Sequence, residues 1–242
     1  MLAALARWLI LSLLGALALQ AFFIGRIALM ASIDPQSSAF QRSEIWRLSA
    51  AGRLRWQQNW RGYDQISAQL KRAVIASEDD GFLNHEGVDW EAVEQAWQRN
   101  AQAETAAAAR AARSQPARAV KLRGGSTITQ QLAKNLLLSG ERTMPRKAQE
   151  LALTYALEAL LDKRRILEIY LNSVEWGEGV FGAEAAAQHY FGKSAAELDN
   201  WEAARLAVML PRPRYFEKLP RSPYLNQRAS VIMQRMAAAQ VP

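Results

Sequence analysis

The chain has 242 residues, 50% of them hydrophobic and 22% charged, with no cysteine, two histidines and a formal net charge of +7. This composition excludes a disordered or collagenous chain, and the lack of cysteine excludes disulfides and thiolate chemistry. With only His85 and His189 available, a zinc site would need mostly carboxylates, so no metal site is expected.

Residues 8–25 (WLILSLLGALALQAFFIG) carry no formal charge. As a helix they reach roughly 27 Å, close to the apolar thickness of a bilayer. Residues 27–33 lengthen the segment if Arg26 snorkels, and Trp8 is a residue type favoured at the interface. Ala16-Leu17-Ala18 has the look of a signal-peptide cleavage site, but the apolar run continues through Phe22, Phe23 and Ile24, which favours a retained anchor. Arg7 and Arg26 nearly balance the positive-inside count, which places the N-terminus only weakly in the cytoplasm. The expected organisation is an anchor over 1–33, a polar linker over 34–43 and one globular domain over 44–242. The positive charge suits nucleic acid, anionic lipid or a phosphorylated substrate. A membrane segment argues against nucleic acid and for membrane lipids with a phosphate-bearing lipid substrate.

Beyond the linker the pattern is mainly helical. Ile66, Leu70, Ala73 and Val74 predict a helix that leaves Glu78-Asp79-Asp80 at its carboxyl end. Residues 100–119 collapse to Ala, Arg, Gln and Glu, and predict a polar helix or a mobile, poorly ordered loop. Gly124-Gly125 breaks the chain before Thr127, whose spacing to Gln130 predicts a capping box opening a helix to about Leu138. Thr143 and Pro145 open another to about Leu161, and Asp162 caps a third containing Ile166, Ile169 and Tyr170. Gly177, Gly179 and Gly182 predict a flexible turn, followed by a helix ending at Gly192. Ser194 with Glu197 forms a second capping box, the last strongly apolar helix stops at Pro211, and a proline-rich loop leads to a C-terminal helix. No repeat of 20 to 50 residues is present, and the fold class is all-α or mainly α.

Four blocks carry chemistry. In EDDGFLNHEGVD (78–89), like-charge repulsion and the negative end of a helix dipole favour protonation of at least one carboxyl, although an isolated acidic triplet is more often a solvated turn. His85 alone reads as an orienting histidine rather than a ligand. In GGSTITQQLAKNLLL (124–138), Ser126, Gln130 and Lys134 share a face beside Gln131 and Asn135. The free amides of the helix start and Lys134 would suit phosphate, and an ordinary capped helix fits equally well. In PRKAQELALTYALE (145–158), Arg146 and Glu150 are spaced i, i+4, which taken singly is a surface ion pair worth about 0.5 kcal/mol. The block at 166–182, ILEIYLNSVEWGEGVFG, reads mainly as packing beside a cleft.

Together and in this order the blocks resemble the peptidoglycan glycosyltransferase family, family 51. The matches are E-D-x-x-F-x-x-H-x-G at 78–87, G-S-T-I-T-Q-Q-L-x-K-N at 125–135, R-K-x-x-E at 146–150, Y-L-N-x-V-E-W-G-x-G-x-F-G at 170–182 and A-A-R-L-A-x-x-L-P at 203–211. The fourth block is similar to the monofunctional branch, and the chain has no S-x-x-K or K-T-G of a penicillin-binding domain. The resemblance implies a lysozyme-like helical fold. It implies Glu78 as general base and Glu150 as a second essential carboxylate, with Ser126, Gln131, Lys134, Asn135, Arg146 and Lys147 binding substrate or pyrophosphate. Asp79, Phe82 and His85 are then supporting residues. The low-complexity stretch at 100–119 is longer than the resemblance leads one to expect.

The implied reaction elongates glycan strands from lipid II with inversion and release of undecaprenyl pyrophosphate. No cofactor is required by the sequence, while a divalent cation, Mg or Mn, is compatible with that leaving group. The implied partners are lipid II, the growing glycan strand, membrane lipids and other cell-wall synthesis proteins. The implied location is the bacterial inner membrane, with the catalytic domain on the periplasmic side. Two rival readings remain at this point: a lytic hydrolase that also uses two glutamates, and a non-catalytic membrane scaffold of wall synthesis.

Overall fold

A computed structural model describes residues 1–112, 125–138, 140–141 and 143–242. Gly124 and residues 113–119, both singled out above, lie outside the described residues. The chain is mainly α-helical, as its periodicity predicts.

Helix α1 (Leu2–Leu29) is the apolar N-terminal segment, and is long and apolar enough to cross a membrane. Helix α2 (Ala39–Ala50) begins inside the segment read as linker, capped by a Ser38–Gln41 box. Its buried side consists of Gln41, Glu44 and Leu48, so hydrophobic periodicity had little to register there. The domain is centred on α3 (Ala68–Glu78), which buries Leu70, Ala73, Val74, Ile75 and Ala76 at helical spacing. Against it pack α9 (Asn200–Met209) and α11 (Pro223–Met236). The other half of the core is α5 (Ile128–Leu137) packed on α6 (Met144–Leu160) and α7 (Lys163–Ser173).

The expected caps form. Thr127 and Gln130 close a capping box on α5, Thr143 accepts from the Arg146 amide, and Asp162 accepts from the Arg165 amide. Each such cap contributes about 1 kcal/mol. The Ser194–Glu197 box also forms, but it closes a separate 3-10 turn over Ala195–Glu197. Helix α9 starts afresh from an Asp199–Glu202 box and ends at Met209, short of Pro211. The expected proline-rich loop contains a short helix, α10 (Pro213–Glu217), and residues 100–112 continue the helix α4 (Trp90–Ala112).

The glycine segment expected as a flexible turn is instead a buried hairpin. Strands β2 (Glu175–Gly177) and β3 (Val180–Phe181) pair antiparallel, and β1 (Gln57–Gln58) joins β3 in parallel. Gly179 has φ +78°, and a Cβ there would lie 2.0 Å from the Arg55 carbonyl oxygen, so no other residue fits. The hairpin leads into α8 (Ala183–Phe191), which ends on Gly192 in the left-handed conformation, as read from the sequence.

Candidate active site

The carboxyl end of α3, the polar face of α5 and the start of α6 converge on a cleft of about 690 Å³. Glu78, Ser126, Gln131, Lys134, Asn135 and Arg146, though spread over more than a quarter of the chain, all line it. Of the residues expected to act on or bind substrate, two do not. Glu150 is buried behind Arg146, and Lys147 reaches Glu150 from the half-exposed side of α6.

Glu78 ends α3 and accepts from Gln131 Nε2 at 2.9 Å through Oε2. Gln131 is held in turn by the hydroxyl of fully buried Tyr170, which donates to Gln131 Oε1 at 3.0 Å. This fixes the amide so that its NH2 faces the carboxylate. Burial raises the proton affinity of Glu78 above that of an ordinary glutamate, and the neighbouring Asp79 adds to the effect; the Gln131 bond and the charge of Lys134 oppose it. The sequence had suggested repulsion within the acidic triplet as the cause, whereas removal from water is the larger one. Asp80, the third member, is exposed and pairs with Arg235 at 3.0 Å. Tyr170, pressed against the same carboxylates in a dry site, has its own pKa pushed well up.

Asp79 supports the site by joining two helices. One carboxyl oxygen accepts from the Ile128 amide at the start of α5 (2.9 Å), and the other accepts from His85 Nε2 (2.9 Å). His85 Nδ1 accepts from the Gly87 amide at 3.1 Å, which assigns the neutral tautomer with its proton on Nε2. The Phe82 ring packs edge-on to His85 and beneath the Lys163 ammonium, 4.7 Å away, and Lys163 donates to the His85 carbonyl at 2.6 Å. Asp79, Phe82 and His85 thus hold the loop after α3 against α5 and α7.

The amides at the start of α5, which the sequence offered as a phosphate cradle, are already occupied. Asp79 takes that of Ile128, Thr127 Oγ1 takes that of Gln130, and Gln130 Oε1 takes that of Thr127. A helix N-terminus capped from within has few donors left for a ligand. The positive charge of the cleft comes instead from Lys134 and Arg146.

Arg146 and Glu150, which read singly as a surface pair, are not on the surface. Glu150 is 3% exposed and accepts from Arg146 at 2.8 Å and from Lys147 at 2.5 Å. The carboxylate holds the guanidinium at Nη1, and Arg146 lines the cleft while its Nε is buried without a partner among the described residues.

Tyr170, Glu175 and Phe40 are among the cleft residues that escaped the sequence reading. Tyr170 and Glu175 lie in the block assigned to packing, and Phe40 lies in the segment read as linker. Glu175 is buried, with its pKa raised by desolvation, and Arg214 offsets part of that through a 2.9 Å bond. Arg214 also pairs with Glu44 at 2.6 Å, so α2, β2 and α10 are joined by charge along one wall. A glutamate amid aromatic and glycine residues was the available signal. Among the described residues, no three His, Asp or Glu side chains are grouped so as to hold a metal ion.

The transglycosylase family profile matches residues 47–237. The chain belongs to the transglycosylase family. Three relatives named biosynthetic peptidoglycan transglycosylase are similar over most of their length. That of Burkholderia thailandensis is 54% identical over 227 residues, covering 93% of this chain and 83% of the relative. That of Paraburkholderia phytofirmans is 53% identical over 227 residues, with 93% and 88% covered. That of Burkholderia orbicola is 50% identical over 245 residues, with 98% and 93% covered. In this transglycosylase the matched region takes in every described residue that lines the cleft except Phe40.

Proposed function

We propose that this transglycosylase polymerises peptidoglycan glycan strands from lipid II, with Glu78 as general base. The observation that carries the reading is the pairing of opposites in one cleft. A desolvated carboxylate with raised proton affinity faces Lys134 and Arg146 across the same space. Glu78 removes the proton of the acceptor's 4-hydroxyl on N-acetylglucosamine. The oxygen attacks the anomeric carbon of the growing chain's terminal N-acetylmuramic acid from the face opposite the leaving group, and the configuration inverts. The bond to the polyprenyl pyrophosphate breaks, and Lys134 and Arg146 offset the charge that develops on the departing oxygen. Ser126, Gln131 and Asn135 supply hydrogen bonds to sugar and amide groups. Glu150 and Lys147 act on Arg146 rather than on substrate, and Asp79, Phe82 and His85 hold Glu78 in register with α5. A bound Mg or Mn would add positive charge at the pyrophosphate.

The apolar segment is retained as a single-pass anchor in the bacterial inner membrane, with the globular domain that follows it on the periplasmic side. Sequencing the N-terminus of membrane-extracted protein should return the residues before Ala16; a mature chain starting near Leu19 in the soluble periplasmic fraction would show a cleaved leader instead. The activity is tested by incubating the detergent-solubilised full chain with lipid II. Polymer that a muramidase digests is the expected product. Digestion of finished peptidoglycan with lipid II left untouched would replace the polymerase by the lytic enzyme.

A further inference from the structure

Within residues 9–25 only Ser12 and Gln20 carry polar side chains. Gln20 is not idle. Its Nε2 donates to Gln149 Oε1 at 2.6 Å, and Gln149 Nε2 donates back to Gln20 Oε1 at 3.0 Å. A side-chain amide in hydrocarbon is costly without a partner, so a reciprocal pair selects one rotation and one height of α1 on its neighbour. The same flank is fastened further along. Ile27 and Met30 are buried in the domain core and Phe23 packs against it. Arg165 donates to the Met30 carbonyl and to Asp34, both at 2.7 Å.

These contacts run in opposite order along the two helices. Residue 165, just beyond the end of α6, meets α1 at Met30, and residue 149, near the start of α6, meets it at Gln20. Gln20 lies roughly 15 Å back from Met30 and about 18 Å from Trp8 along the helix. Helix α6 therefore descends along α1, and its first turn, with exposed Met144 and cleft-lining Arg146, lies at the membrane side of the domain.

We propose that the Gln20–Gln149 amide pair is a positioning clamp that fixes the height and roll of α6, and with them Arg146 and Glu150, relative to the bilayer in which a lipid-linked pyrophosphate substrate resides. The inference rests on the polymerase reading and on a retained anchor. A tether alone would leave the cleft free to rise or turn away from the phosphate plane. The clamp presents Arg146 to it.

The test uses the full chain in phospholipid vesicles containing lipid II. Because the chain has no cysteine, a Q20C/Q149C pair can be joined by a short bis-thiol-reactive reagent without side reactions. Expected are an intramolecular cross-link in high yield, and its absence for a L13C/Q149C control on a more distant turn of α1. Q20L, Q149L and the unjoined cysteine pair should each raise KM for lipid II about threefold or more while kcat holds, and joining the cysteines should bring KM back. A merely structural contact would lower the melting temperature without this split and this rescue. Cross-linking no better than the control, or a KM unchanged in Q20L and Q149L, overturns the clamp. Cross-linking needs no activity, so a wild type that binds α1 to α6 but makes no polymer would sink the polymerase reading and leave the docking standing.

Discussion

The two glutamates of the site are buried in opposite ways. Glu78, at the end of α3, loses water and gains an amide partner in Gln131. Glu150, at the start of α6, loses water and gains two cations, Arg146 and Lys147. The first arrangement leaves a carboxylate with an unmet affinity for a proton, which is what a base requires. The second matches the charge in place, which suits an anchor for a guanidinium. The same residue type, half-buried at the cleft in one case and fully buried behind it in the other, is suited to accept a proton at one place and to hold a cation at the other, and the neighbours decide which.

Replacing each with glutamine breaks that comparison most sharply. E78Q should lower lipid II polymerisation by about 10²-fold or more, the usual reach of a general base. Its fold should persist by circular dichroism. The folded pKa of Glu78 is raised, so this group's stabilising contribution is complete below its unfolded value and is lost as pH rises through the folded one. At neutral pH E78Q should therefore melt no lower than wild type. Activity within tenfold of wild type would remove Glu78 from the role of base.

E150Q should behave the other way. It leaves two cations without their carboxylate and should cost about 1 to 3 kcal/mol of stability, read by denaturant unfolding, with activity falling because Arg146 is no longer held. An E150Q protein as stable as wild type would mean that the two burials are equivalent after all.

A smaller effect is expected at the cations. K134A removes a charge-assisted contact worth about 1.5 to 3 kcal/mol, so turnover should fall at least tenfold. R146K should also impair it, because a point charge cannot reach Glu150 and the cleft at once as a planar fork does. Normal polymerisation by both would exclude them from leaving-group stabilisation.

The finest test is a pH profile. kcat/KM should fall on the acid side with an apparent pKa above 4.5, the ordinary glutamate value. Q131L deletes the bond that favours the ionised form, so its acid limb should move to higher pH. A limb that stays in place would show that Gln131 does not tune Glu78.

Where the buried face was apolar, the sequence was readable. The end of α3 and the boundaries and caps of α5, α6 and α7 follow from 3.6-residue periodicity and from Thr and Asp at the N-caps. The polar face of α5 was legible as a face, but its residues read as a binding site only through the family resemblance. What failed was structure held by polar or very short elements. Helix α2 buries Gln41 and Glu44, the strands are two or three residues long, and β1 finds its partner more than a hundred residues away. Occupation of the α5 amides by Asp79 was equally hidden, since it depends on a contact between residues 79 and 128.

That contact between Asp79 and the Ile128 amide also bears on how such chains can change. The end of α3 and the start of α5 are spliced directly to one another, so the distance from Glu78 to Gln131 is set by a single carboxylate and not by the chain that runs between the helices. Lengthening a connecting segment is thermodynamically gentle, each doubling costing only about 0.6 kcal/mol. The stretch of sequence between the two motifs is thereby released from the geometry of the cleft, and can gain or lose residues over generations while Glu78 and Gln131 keep their spacing.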